Sequence, residues 1–278
     1  MVVFLALISS VMWGSADFLG GTLSRRRPAL AVVGGSQVAG LIAAIVVASA
    51  LGKWGDDPAY LRWAVLASLS GFVGLVAFYS ALSRGTMGIV APIAGLGVLV
   101  PLGLGLIRGE SPTALQFVGI ALALVGIVAA SGPELTGRTE LIPLLLAGLA
   151  ALMFGTSLSG IAQGSRTSAV MTMVAMRVTT VAVVLGIAFI VRSRGGLVRA
   201  DIGMLAAIGV FDVAANLSFG VAAGLGLLAI VSVLGSLYPV TTVVLARWFH
   251  HERLAPVQYL GVGIALCGVA LISTGGAG

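Results

Sequence analysis

The sequence predicts an all-α integral membrane protein of ten transmembrane helices, arranged as two inverted five-helix repeats. Three observations predict it. The 278 residues are 59% hydrophobic and only 9% charged, with a mean hydropathy of +1.16, whereas an average soluble domain carries about 25% charge. Uncharged apolar stretches recur along the whole chain, each long enough to cross roughly 30 Å of hydrocarbon as a helix. The second half also repeats the first. A membrane β-barrel would read as strands of about ten residues with alternating polarity, and these stretches are apolar all round.

Bounded by charge, Pro or Gly, the spans fall near 2–22, 29–51, 61–83, 86–107, 113–131, 140–163, 168–191, 202–223, 226–248 and 256–274. The first lacks a basic start, contains Asp17 and is followed by Arg25, Arg26 and Arg27, so it reads as a span and not as a signal peptide. Connections are short, and the longest polar join, 131–140, lies near the middle. Chemistry therefore has to happen at membrane depth or at the mouths.

Transporter folds are often built from duplicated halves. Sliding the chain by 142 positions lays Glu110–Ser131 on Glu252–Ser273 without a gap. It matches Glu110, Gln116, Gly119, Ala123, Leu124, Gly126 and Ser131 to Glu252, Gln258, Gly261, Ala265, Leu266, Gly268 and Ser273. Chance would give roughly two or three identities. A slide of 141 places Met12, Gly14 and Ser15 on Met153, Gly155 and Thr156. The repeats are assigned to 1–134 and 135–278. Five is odd, so the second enters the membrane in the opposite sense, which implies a central site between halves.

The net charge of +6 does not point to nucleic acid, because Lys and Arg sit in short clusters between apolar runs. Odd-numbered connections hold ten basic residues (Arg25, Arg26, Arg27, Arg84, Arg138, Arg192, Arg194, Arg199, Arg247 and Arg253). Even ones hold four (Lys53, Arg62, Arg108 and Arg166). The positive-inside rule then puts the odd connections in the cytoplasm and both termini outside.

Several motifs stand in this frame. Span 1 carries Trp13-Gly14-Ser15-Ala16-Asp17-Phe18. Span 9 runs through Ser236-Leu237-Tyr238-Pro239 to His251-Glu252-Arg253-Leu254, and Arg108-Gly109-Glu110 echoes its ending in the first half. With the glycine-spaced spans 5 and 10, this pattern resembles the drug/metabolite transporter superfamily, in its EamA-type form of two five-helix repeats, over almost the entire length. The resemblance implies a transporter fold with cytoplasmic termini and no particular substrate. It also implies an arginine in span 7, met by Arg177, whereas span 2 has Gln37.

Ionisable residues at membrane depth are costly and by default face the protein interior as functional candidates. Asp17 shares a stripe of small and polar residues with Ser10, Gly14 and Gly21; the competing reading is an interfacial residue capping its helix or pairing with Arg25. Asp212 is central in span 8 with Asn216 one turn later, and Arg177 is equally central in span 7, making the two expected partners. Such a pair either fixes helix register or offers a site where substrate or a proton competes. Pro92 and Pro101 in span 4 and Pro239 in span 9 remove helix hydrogen bonds at related depths, as expected of hinges in broken helices that form moving walls. Gln37, Tyr79, Asn216, Ser232 and Tyr238 are lesser polar candidates for lining a cavity.

Other classes are excluded by what the motifs lack. His250, His251 and Glu252 offer too few ligands for zinc, without HExxH spacing, so no metal and no cofactor are expected. A single cysteine, Cys267, permits no disulfide and reads as helix packing. No P-loop or nucleophile elbow is present, so neither an ATP-driven pump nor an enzyme is expected. The expected function is secondary, proton-coupled transport of a small metabolite (an amino acid, a related metabolite or a drug) by alternating access, in the export direction. Its expected setting is the inner membrane, as a multi-pass protein with the bilayer and a small-molecule substrate as partners and with homodimerisation open. A lipid-linked flippase or a non-transporting membrane scaffold is the alternative; a scaffold predicts no water-accessible cavity.

Overall fold

Long runs that are apolar all round satisfy their backbone in lipid as helices, and that is the architecture found. The computed structural model describes residues 1–84, 90, 93–131, 141–191, 196–249 and 255–274. In chain order the helices are α1 (Val2–Ser24), α2 (Ala29–Ala50), α3 (Leu61–Leu82), α4 (Leu99–Ile107) and α5 (Ala114–Ser131). There follow a long run Leu141–Val191, α8 (Ile202–Leu225), α9 (Leu228–Gly235), α10 (Tyr238–Phe249) and α11 (Pro256–Thr274). No strand occurs among the described residues.

The long run is two helices. Ser168 is extended (φ −155°, ψ 109°), and its hydroxyl accepts from the Met171 N–H at 3.2 Å to start the second piece. We call the pieces α6 (141–167) and α7 (169–191). The chain turns back at Ser168, since Ile161 before it and Met176 after it line the same cavity.

The ninth span is interrupted as expected. α9 ends at Gly235, Ser236 and Leu237 form a turn, and α10 restarts at Tyr238. Pro239 has no N–H for the Gly235 carbonyl, so the ladder cannot pass through. In the first half a 3₁₀ turn at Leu96–Val98 precedes α4, and Pro101 sits buried in its first turn. Pro92, His250, His251 and Glu252 lie outside the described residues.

Two crossings repeat across the halves. Gly14 of α1 lies so close to α10 that an added Cβ would stand 2.5 Å from Thr241 Cβ and 2.6 Å from the Tyr238 carbonyl oxygen. Gly155 of α6 meets the Gly97 carbonyl oxygen, with Val100 Cβ at 2.6 Å from the same imagined atom. Glycine, Tyr238/Gly97 and Thr241/Val100 are each separated by 141 positions. α5 and α11 pack along a second related seam, where Gly126 meets Ala265 and Gly268 meets Ala123, both related by the 142-residue slide. The matched glutamines also act alike: Gln116 accepts from the Thr113 N–H at 2.8 Å, and Gln258 from the Ala255 N–H at 2.8 Å. Each closes the first turn of its helix, as in a capping box.

The perimeter is apolar. Phe189, Ile107 and Ile190 are 86%, 85% and 79% exposed, and five described helical runs, with α6 and α7 counted as one, are long and apolar enough to cross a membrane. Trp54 in the α2–α3 connection and Trp248 at the end of α10 are exposed at helix ends, where interfacial aromatic belts form. Cys267 corrects the packing expected of it: it is exposed on the perimeter.

Glu110 explains part of its motif. Its two carboxylate oxygens accept from the Leu228 and Ala229 N–H groups at 2.9 and 2.8 Å, so a side chain from the first half caps α9 in the second. Capping at a helix N-terminus satisfies orphan donors and opposes the dipole, and charge-assisted bonds are about twice as strong as neutral ones. Glu110→Ala is expected to lower the unfolding free energy by about 2 kcal/mol, read from denaturation in mixed micelles. Glu110→Gln, which keeps one acceptor oxygen, is expected to cost less.

Candidate functional site

Seven spans turn polar or aromatic side chains onto one cavity with about 870 Å³ of space between atoms. α1 contributes Trp13 and Asp17, α2 Ser36 and Gln37, and α3 Ser68, Phe72 and Tyr79. α6 adds Phe154 and Ser157, α7 Arg177 and Thr180, α8 Asp212 and Asn216, and the α9–α10 break adds Ser236 and Tyr238. Both halves therefore build the wall. Among the described residues the ninth span lines the cavity and span 4 does not, Pro101 being buried elsewhere.

The central network sits on three helices. Arg177 Nη2 stands 3.0 Å from Asp212 Oδ2, and Arg177 Nη1 donates to Gln37 Oε1 at 2.6 Å. Gln37 Nε2 donates to Asp212 Oδ2 at 3.2 Å, so the amide bridges both members of the ion pair. Asn216 Nδ2 donates to Asp212 Oδ1 at 2.7 Å and to the Asp212 carbonyl at 2.6 Å. Arg177 is 4% exposed; its Nε has no hydrogen-bond partner among the described residues and lies against Gly40 on α2. The glycine allows the approach, and Gly209 of α8 likewise meets Ser36 and Gly40 backbone. Sequence reasoning found the pair and Asn216 but gave Gln37 too small a part, because nothing in the order of residues places α2 between α7 and α8.

Asp17 is the other charged group. It is 8% exposed, and no described residue gives its carboxylate a hydrogen bond or an ion pair. Arg25, the expected partner in the interfacial reading, is exposed at the end of α1. Asp17 thus faces inward, within coulombic reach of Asp212 and of the phenols of Tyr79 and Tyr238. Tyr238 Oη is buried with no hydrogen-bond partner among the described residues. Tyr79 is 1% exposed and its hydroxyl rests on Gly20. Ser232 is buried but is not part of the lining.

A second ion pair lies outside the cavity lining. Arg27 Nε stands 2.9 Å from Asp201 Oδ2, and the same oxygen accepts from the Val198 N–H at 2.9 Å. This ties the α1–α2 connection to the start of α8. No group of three or more metal-ligating side chains occurs among the described residues.

Known proteins bear on this arrangement in two ways. A solved structure described as "Crystal structure of protein" superposes with a TM-score of 0.78 over 98% of this chain and 96% of that one, at 16% sequence identity, a likeness that speaks to the fold. No curated protein sequence matches. A family model for the EamA-like transporter family matches residues 1–132 and again 141–274. A polytopic chain with two matching halves around a polar cavity therefore belongs to the EamA-like transporter family, within the drug/metabolite transporters, and is a multi-pass membrane protein.

Proposed function

We propose that the chain is a secondary transporter of the inner membrane. In this reading ten spans form two inverted five-helix repeats, and a small organic solute is exported through the central cavity by alternating access. The observation that carries it is the cavity itself, walled by both halves and lined by both the break of the ninth span and the ion-pair network. The matched glycine crossings support the inverted arrangement, because each half can then adopt the other's packing. An uncompensated carboxylate at membrane depth costs free energy that a proton removes, so Asp17 is assigned the exchange of a proton for substrate.

Cysteine accessibility tests this. In a Cys267→Ser background, single cysteines at Ser236 and Gly71 are expected to react with a membrane-impermeant maleimide from one face. The reactive face is expected to switch when a pH gradient is reversed. A scaffold would leave both cysteines unreactive from either face under every condition, and that result ends the carrier reading.

A further inference from the structure

The charges of the cavity do not balance, and the imbalance specifies a ligand. Among the described residues, three side chains that line it carry formal charge: Asp17, Arg177 and Asp212. Arg177 and Asp212 neutralise one another at 3.0 Å, and each is held further by a neutral amide, Gln37 on the arginine and Asn216 on the aspartate. Asp17 is left with one negative charge, 8% exposed, with no donor among the described residues. Counted over the described residues, the cavity is one positive charge short.

The surroundings of Asp17 narrow what can supply it. Trp13 is one turn away on the same helix, and Phe72, Tyr79, Phe154 and Tyr238 line the same cavity, which makes its wall rich in aromatic rings. Aromatic faces attract cations, most strongly when water is excluded. A neutral solute would leave the carboxylate uncompensated, and an anion would add repulsion. A zwitterion brings a carboxylate of its own. The guanidinium that would receive it is engaged by Asp212 and Gln37, and its Nε and Nη2 are buried away from the open space.

We propose that the cavity binds an organic monocation, a protonated amine or quaternary ammonium, with its positive centre against Asp17 and its apolar part against the aromatic wall. This rests on the cavity being the transport site and adds the chemical class of what it carries. The probe is benzyltrimethylammonium, compared with phenylalanine, benzyl alcohol and phenylacetate. All are titrated calorimetrically into the purified full chain in detergent at one pH.

Saturable binding of the cation alone is expected, weakened at least ten-fold by the isosteric Asp17→Asn. If Asp17→Asn does not fold, the Ser236→Cys variant keeps the question open to experiment, because the bound cation is expected to slow its alkylation and phenylalanine is not. Binding of phenylalanine or benzyl alcohol in place of the cation overturns the proposal, as does equal binding of the cation by wild type and Asp17→Asn. Those results leave the carrier reading intact, provided the cavity cysteines label alternately. A cavity that never labels and binds nothing overturns both.

Discussion

Asp212→Asn is expected to lower the unfolding free energy by about 3–5 kcal/mol, the cost of stranding one member of a buried ion pair. The guanidinium left behind is 4% exposed. It keeps one short bond, to Gln37 Oε1 at 2.6 Å, and cannot shed its charge, since arginine stays protonated in proteins. Arg177→Gln is the milder change. The stranded carboxylate retains Asn216 and Gln37 as donors.

The double variant Arg177→Gln/Asp212→Asn removes both charges and leaves amides that can bond to each other and to Gln37. It is expected to recover most of the lost stability, giving a large favourable coupling in a double-mutant cycle. Unfolding in mixed micelles supplies the four free energies. Additive losses would mean that the two side chains act independently, contrary to their 3.0 Å separation. Transport then separates two roles for the pair. If transport survives in both single variants while stability falls, the pair serves only to fix α7 against α8.

Sequence showed part of this network, and the missing part has a physical cause. In a soluble helix the polar face marks the outside, so periodicity gives a direction. Here lipid is as apolar as the protein core, and an apolar residue carries no sign of which it meets. Cys267, expected to pack, faces outward for that reason.

Polar residues do carry a sign. Asp17, Arg177 and Asp212 were recognisable from the cost of their depth, and they line the cavity with the lesser polar candidates Gln37, Tyr79, Asn216 and Tyr238, whereas Ser232 does not. What order along the chain could not supply was azimuth. The bridge by Gln37 depends on α2 lying against α7 and α8, and the cap by Glu110 on α4 ending beside the start of α9. The duplication was legible in its glutamines and glycines because each copy faces the same local task, as the caps at Thr113 and Ala255 make plain.

Gly14→Ala and Gly155→Ala are expected to produce the largest losses after the ion pair, about 1–3 kcal/mol each by overpacking and at the upper end of that range. The atoms in the way include a backbone oxygen at each site, the Tyr238 carbonyl for Gly14 and the Gly97 carbonyl for Gly155, beside the Cβ atoms of Thr241 and Val100, which are fixed to the backbone. A backbone atom in a helix cannot rotate aside, so relief requires separating whole helices and reopening their interface. Gly148 provides the control on the same helix as Gly155. Nothing lies within 4 Å of a Cβ placed there, and alanine in a helix interior is favoured over glycine by roughly 0.5–1 kcal/mol. Gly148→Ala is therefore expected to be neutral or stabilising although it lies two turns from a position where the same change is damaging.

The comparison of Gly14 with Gly155 goes further, because the two crossings are related by the duplication. If the halves are equivalent units, the two substitutions cost the same within the scatter of the measurement and both abolish transport, since each crossing is needed whichever way the cavity faces. A large cost at one site with none at the other would mean that only one crossing bears on the fold, and alternation between equivalent halves would then lose its structural basis.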